Sequence, residues 1–145
     1  MLKSLSVKNF ALIEKIELEF EEGLNVLTGE TGAGKSILID ALGAALGQRA
    51  NVNQIRAGCE EFGVEAVFVP EKNSAVKNLL TEFDIDDDEV LIIKRKFNRG
   101  GKNTILVNGS HVNLATLKKI AAALVDIRTK RKFIPTENGQ HLQFD

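Results

Sequence analysis

Tryptophan and tyrosine are absent from this sequence, so its 8 Phe supply all the aromatic packing. A single cysteine, Cys59, excludes an intramolecular disulfide and any cysteine-cluster zinc site. Two histidines, His111 and His141, are too few for a multi-histidine metal centre. No apolar run approaches the ~18 residues of a membrane-spanning helix. The opening MLKSLSVKNF lacks the apolar stretch of a signal peptide. Internal repeats and low-complexity tracts are also missing. What is present suits one globular domain of 145 residues, with 43% hydrophobic and 27% charged residues. A chain of this length buries roughly two-thirds of its unfolded surface. It reads as a soluble, cytoplasmic chain without a membrane partner.

The net charge of −1 hides an asymmetry. Residues 1–70 carry 6 basic and 10 acidic side chains, and residues 71–145 carry 13 and 10. From Lys94 to Lys132 there are 11 basic residues and one acid, Asp126. Two readings stay open: a polyanion site, or a solvated basic sheet edge. Only Phe97 and Phe133 offer aromatic faces in that stretch, so it provides little for base stacking. The acidic run Asp86-Asp87-Asp88-Glu89 lacks the alternate spacing and the glycine of an EF-hand and reads as a solvated linker.

Period-two alternation at Leu5 and Val7, and again at Ile16, Leu18 and Phe20, predicts two half-buried antiparallel strands joined through Asn9–Lys15. Glu21-Glu22-Gly23 predicts a turn, and Leu24–Leu27 a short apolar strand. Ile37, Leu38, Ala41, Leu42, Ala45 and Leu46 share a helical face that Gly47 would cap. Residues 48–61 read as a loop and Val64–Val69 as a strand stopped by Pro70. Asn73 or Ser74 would cap a helix presenting Val76, Leu79, Leu80 and Phe83. Val90–Phe97 and Thr104–Val107 predict paired strands, the second closed by the turn dipeptide Asn108-Gly109. Asn113 would cap a helix carrying Leu114, Leu117, Ile120, Ala121 and Leu124, with Leu124–Ile127 as a last strand. The pattern is α/β with considerable antiparallel sheet.

Gly29-Glu30-Thr31-Gly32-Ala33-Gly34-Lys35-Ser36 fits G-x-x-x-x-G-K-[ST], the P-loop, between an apolar strand and an amphipathic helix. The glycines let backbone N–H groups curl around a phosphate. Lys35 would set a charge against the β- and γ-phosphates, and the Ser36 hydroxyl would ligate Mg²⁺. The positive end of the following helix would point at the same anion. Hydrolysis also needs a carboxylate near Mg²⁺ and a group that positions water. The weak echo of such a strand, Ala123-Leu124-Val125-Asp126, is followed by Ile127 rather than Glu, so Asp126 reads as structural, near a strand end. Cys59 reads as an inert thiol, and His111 has no neighbouring triad partners.

Val7-Lys8-Asn9-Phe10-Ala11-Leu12-Ile13, followed by Gly23–Ser36, resembles the RecN family of SMC-like bacterial DNA-repair ATPases. The resemblance continues through Ala41-Leu42-Gly43, Leu46–Ala50, Ile55–Gly58, Val107–Val112 and Leu124–Ile127. It implies a P-loop NTPase fold: the N-terminal lobe of an ABC/SMC-type head, with a mixed sheet and antiparallel strands, over residues 1–127. In that family the other end of the chain supplies the signature loop and Walker-B acids, and two heads sandwich two ATP molecules. The implied cofactors are ATP and Mg²⁺. The implied partners are a C-terminal head lobe or second head, and DNA, in a nucleoid-associated setting. Matching positions place the phosphates on Gly29, Glu30, Thr31, Gly32, Ala33, Gly34, Lys35 and Ser36. Lys8 and Asn9 would approach the base. Arg49 and Arg56 fall in a segment that contacts ATP or DNA, or are simply solvated.

After Val-Asp-Ile the family runs His-Gly-Gln-His-Glu, whose glutamine helps to hold Mg²⁺. Here Arg128-Thr129-Lys130-Arg131-Lys132 follows, and Gly139-Gln140-His141 comes about ten residues later. Either the tail carries an insertion and Gln140 takes the glutamine's role, or residues 128–145 are a divergent, flexible tail. The expected function is Mg-ATP binding with hydrolysis dependent on a second lobe. The alternative is a stand-alone or truncated nucleotide-binding module without turnover. A small-molecule P-loop kinase is disfavoured by the missing lid arginines and the antiparallel strands. A lobe on its own is also expected to expose an apolar patch.

Overall fold

Alternating residues at the start of the chain build a hairpin. Strand β1 (Leu2–Phe10) pairs antiparallel with β2 (Ile13–Glu19), Leu5 opposite Leu18 and Val7 opposite Ile16. The connection is tighter than the expected Asn9–Lys15 segment, because Phe10 still pairs with Ile13 and the turn is Ala11-Leu12. Asn9 and Ala11 both take positive φ, 54° each, a conformation that costs a non-glycine residue about 1 kcal/mol. Segment 51–56 offsets that strain: the Ala11 N–H donates to the Gln54 carbonyl at 2.7 Å and the Arg56 N–H to the Asn9 carbonyl at 2.9 Å.

The computed structural model describes residues 2–20, 32–71, 75–126, 134–136 and 139–141. The expected turn at Glu21–Gly23, the strand at Leu24–Leu27 and the cap at Asn73 or Ser74 lie outside the described residues. Helix α1 (Gly32–Ala45) is followed by a short 3-10 turn (Val52–Gln54), then β3 (Glu61–Phe68) and α2 (Ala75–Glu82). Then come β4 (Leu91–Asn98), β5 (Asn103–Val107) and the two-residue β6 (Ser110–His111). Helix α3 (Leu114–Asp126) follows, and β7 (Ile134–Thr136) pairs with β8 (Gly139–His141) in a separate two-stranded sheet.

The main sheet has the order β2-β1-β3-β4-β5-β6, and every described pairing is antiparallel. Asn108 and Gly109, both at positive φ (47° and 85°), form the tight turn that folds β6 back on β5. The basic residues of β4 are not at a sheet edge as expected. Strand β4 lies between β3 and β5, and Lys94 and Lys96 stand on its open face. The edges are β2 and β6.

One sheet face is the core and the other is open. Leu5 and Val7 of β1, Phe62, Val64 and Ala66 of β3, Leu91 and Ile93 of β4, and Ile105 and Val107 of β5 are all buried. Phe10 and Phe62 meet edge to face at 4.9 Å, and Phe62 lies 5.8 Å from Phe97, an aromatic row built without Trp or Tyr. Helix α1 lies over β1, β3 and β4, α3 over β5, and α2 against α3.

The expected strand at Leu124–Ile127 is corrected: Leu124, Val125 and Asp126 are the last turn of α3. The Thr116 N–H donates to Asn113 Oδ1 at 2.8 Å, so the expected cap starts the helix. Three consecutive alanines, Ala121–Ala123, then carry it on, and extending a formed helix costs little per residue. Asp126 is therefore not near a strand end, and residues 123–126 are not a Walker-B strand. Among the described residues the exposed large apolar side chains are Leu12, Val52 and Val69, of which Leu12 is 80% exposed.

Candidate functional site

Helix α1 starts inside the glycine-rich motif. Gly32, Ala33 and Gly34 open it, and Lys35 and Ser36 follow with exposed side chains. The first four N–H groups of a helix have no partner within it, and that end carries about half a positive charge. Gly29, Glu30 and Thr31 lie outside the described residues.

Burial along α1 is graded. Lys35 and Ser36 are exposed, Ile37 and Leu38 are half-buried, and Ala41, Leu42, Ala44 and Ala45 are buried. The helix is therefore anchored at its C-terminal half and presents its N-terminal half outward. At about 1.5 Å per residue it is about 21 Å long, and its fixed end sets where Lys35 and Ser36 stand. Asp40, one turn beyond Ser36, has its carboxyl pushed above the ordinary carboxylate value by partial burial.

The anchor is a residue that sequence reasoning missed. Arg95 on β4 is 1% exposed. Its Nη1 donates to the Ala44 carbonyl at 2.8 Å and to the Gln48 carbonyl, and its Nε to Asn103 Oδ1 at 3.0 Å. The guanidinium thus meets carbonyls at the C-terminal end of α1, where the helix dipole is negative. Loss of hydration lowers its pKa, yet Arg stays charged in proteins. Its Nη2 is buried without a hydrogen-bond partner. The signal was in the strand parity: Leu91, Ile93, Arg95 and Phe97 alternate onto one buried face. Gly47, at φ +98°, then ends the helix as expected, against the Lys118 side chain of α3.

The other expected site residues are dispersed. Lys8 is exposed on the open sheet face, opposite the face that α1 covers, so the structure does not bring it beside Lys35. Asn9 sits at the strained turn. Arg56 braces that turn, with Nη1 on the Leu12 carbonyl at 2.8 Å. Arg49 is exposed in the loop after α1. Gln140 lies in β8, and its side chain is outside the described part. Cys59 is half-buried and unpaired. His111 is exposed on β6. Among the described residues no three His, Cys, Asp or Glu side chains converge on a metal position, and no helix is long and apolar enough to cross a membrane.

Comparisons with known proteins bear on the same segment. A family model described as "AAA domain" matches residues 4–144. DNA repair protein RecN of Bacillus subtilis (strain 168) is 41% identical over 145 residues, 99% of this chain and 25% of that protein. The chain thus spans about a quarter of the length of the curated relatives it matches. The SMC head domain of Thermotoga maritima superposes with a TM-score of 0.55 at 26% identity, covering 99% of this chain and 45% of that one. An SMC ATPase structure, described by its ATP-driven dimerization and DNA-stimulated activation, superposes with a TM-score of 0.68 at 20% identity. That match covers 86% of this chain and 79% of the other. The resemblance to RecN and the head-lobe fold that it implies are both borne out.

Proposed function

We propose, from the premise that this chain belongs to the AAA domain family, that it is the Mg-ATP-binding lobe of a RecN-like DNA-repair ATPase. One observation carries the reading: the G-x-x-x-x-G-K-S segment runs into α1 with Lys35 and Ser36 exposed at the helix start. Free N–H groups, a helix dipole and an ammonium fit a polyphosphate. Mg²⁺ favours oxygen ligands and keeps much of its coordination for phosphate and water, which the Ser36 hydroxyl fits. When bound, the ion would neutralise charge on the phosphate oxygens. Lys35 would hold the terminal phosphates, the Ser36 hydroxyl would hold the ion, and the N–H groups at the start of α1 would face the β-phosphate.

Turnover needs a carboxylate and a water-positioning group. With Asp126 helical, the described residues offer no strand that delivers one. Hydrolysis therefore belongs to an assembly with a complementary lobe or a second head. RecN is named a DNA repair protein, and the SMC relative is described as dimerizing with ATP and being stimulated by DNA. Those names support a role on DNA.

Calorimetric titration with Mg-ATP tests the reading, with phosphate release recorded alongside. Heat of binding that is lost in Lys35→Ala, without turnover, is the expected result. A folded wild-type chain that binds equally well with and without Lys35 would overturn it.

A further inference from the structure

Helix α1 grips the sheet weakly for an element that has to hold Lys35 and Ser36 still. The side chains it buries are Ala41, Leu42, Ala44 and Ala45. Alanines offer shallow ridges to interlock, and apolar contact has no direction of its own. Such a face resists leaving the sheet better than it resists sliding or tilting on it. Lys35 stands nine residues before Ala44, about 14 Å along the axis. A tilt of about 10° at Ala44 would move Lys35 by about 2.4 Å, and a binding group has to be held within about 0.5 Å.

The C-terminal end of α1 is closed twice. The Gln48 N–H donates to the Gly43 carbonyl at 3.0 Å and the Gly47 N–H to the Ala44 carbonyl at 3.2 Å, the paired closure of a helix that ends through a left-handed residue. Arg95 then donates to the Ala44 and Gln48 carbonyls from the sheet, at residues that flank Gly47 in the chain. Asn103 of β5 holds its Nε. Among the described residues Arg95 is the one strand side chain hydrogen-bonded to α1.

A fold that needed only a plug at this position would not need an arginine. The guanidinium is buried, no described carboxylate pairs with it, and its Nη2 meets no acceptor. A buried charge left in that state is often less stabilising than an apolar side chain of similar volume. An apolar side chain cannot supply directional bonds from a planar group carried on β4. We infer that Arg95 is a positioning residue for nucleotide binding. Through the Ala44 and Gln48 carbonyls it fixes the tilt and axial position of α1, and with them the place of Lys35 and Ser36. This role rests on the Mg-ATP reading above, and Arg95 serves that site from the far end of the helix.

The test uses the 145-residue chain. Arg95→Met keeps most of the volume and removes the donors, and Arg95→Lys keeps the charge without the fork. Both are expected to weaken Mg-ATP binding about tenfold in calorimetry below the melting transition, with the circular dichroism of the folded chain unchanged. Asn103→Ala, at an exposed position, removes only the support of Nε and is expected to weaken binding about threefold. Val76→Ala is the control, in the helix α2 that packs against α3. It is expected to lower the melting temperature and leave Mg-ATP affinity unchanged. Spin labels at Asp40→Cys on α1 and Glu61→Cys on β3, in a Cys59→Ser background, read the helix position without nucleotide. The labelled parent should give one narrow distance, and Arg95→Met a shifted or broadened one.

Unchanged Mg-ATP affinity in Arg95→Met, an unchanged label distance there, or an equal loss of affinity in Val76→Ala would each overturn the positioning role. Binding by the parent that depends on Lys35 would leave the Mg-ATP reading standing in those cases. No Mg-ATP binding by the folded parent would overturn both. If Arg95→Met does not fold, Arg95→Lys and Asn103→Ala carry the same measurements.

Discussion

Arg95 enters the core from a strand with hydrophobic neighbours on its buried face, and its charge is met by carbonyls at the end of α1 rather than by a carboxylate. Removing the side chain would leave the Ala44 and Gln48 carbonyls and Asn103 without their donor, and would open a cavity. Arg95→Ala is therefore expected to lower stability by about 3 kcal/mol in urea denaturation. Arg95→Lys should recover little of it, since an ammonium cannot reproduce the planar fork. A loss under about 0.5 kcal/mol, ordinary for surface changes, would show that the anchor is dispensable. The place of Lys35 and Ser36 at the start of α1 was legible because it follows from local spacing. Arg95 was not singled out, because the same letters describe a solvated arginine in a basic run. Only the parity of β4, together with the helix end it meets, separates the two.

At the scale of elements, α1 is governed by its ends. The N-terminal end is the candidate phosphate site, and the C-terminal end is closed by Gly47 and held by Arg95. Gly47→Ala would force a Cβ into a left-handed conformation, 3.0 Å from the Lys118 Cγ. The expected cost is about 1–2 kcal/mol, read as a lower melting temperature. An unchanged melting temperature would mean that the α1–α3 junction relaxes freely. The β1–β2 hairpin, the β4–β5 pair, α1 and the Asn113-capped α3 were all legible from periodicity and turn chemistry. The strand assigned to Leu124–Ile127 was not, because a short apolar run has no period of its own, and the helix already running from Leu114 decides its state. Strand β6 was also hidden. Two residues carry no periodicity, and only the positive φ of Asn108 and Gly109 returns the chain to β5.

At the scale of the whole molecule, the sheet separates two surfaces. One is covered by α1 and α3, with Lys35 and Ser36 at the start of α1, and the other is open, its lysines Lys8, Lys15, Lys94 and Lys96 interleaved with Glu17, Glu19, Glu61 and Glu65. Because the chain spans about a quarter of its curated relatives, the ATPase cycle is expected from an assembly. Adding the C-terminal portion of a RecN-like protein in trans should restore phosphate release stimulated by duplex DNA. Absence of any gain with a folded, soluble partner would favour a nucleotide-binding module without turnover. The sequence by itself determined the G-x-x-x-x-G-K-[ST] motif, the antiparallel hairpins and the resemblance to RecN, because each rests on residues adjacent or regularly spaced along the chain. Only the tertiary structure decided that Lys8, Lys15, Gly63 and Lys96 form one row, and that Arg95 ties β4 to the helix bearing Lys35. Those juxtapositions depend on strand order and register, which the pairing of distant segments sets and no local pattern encodes.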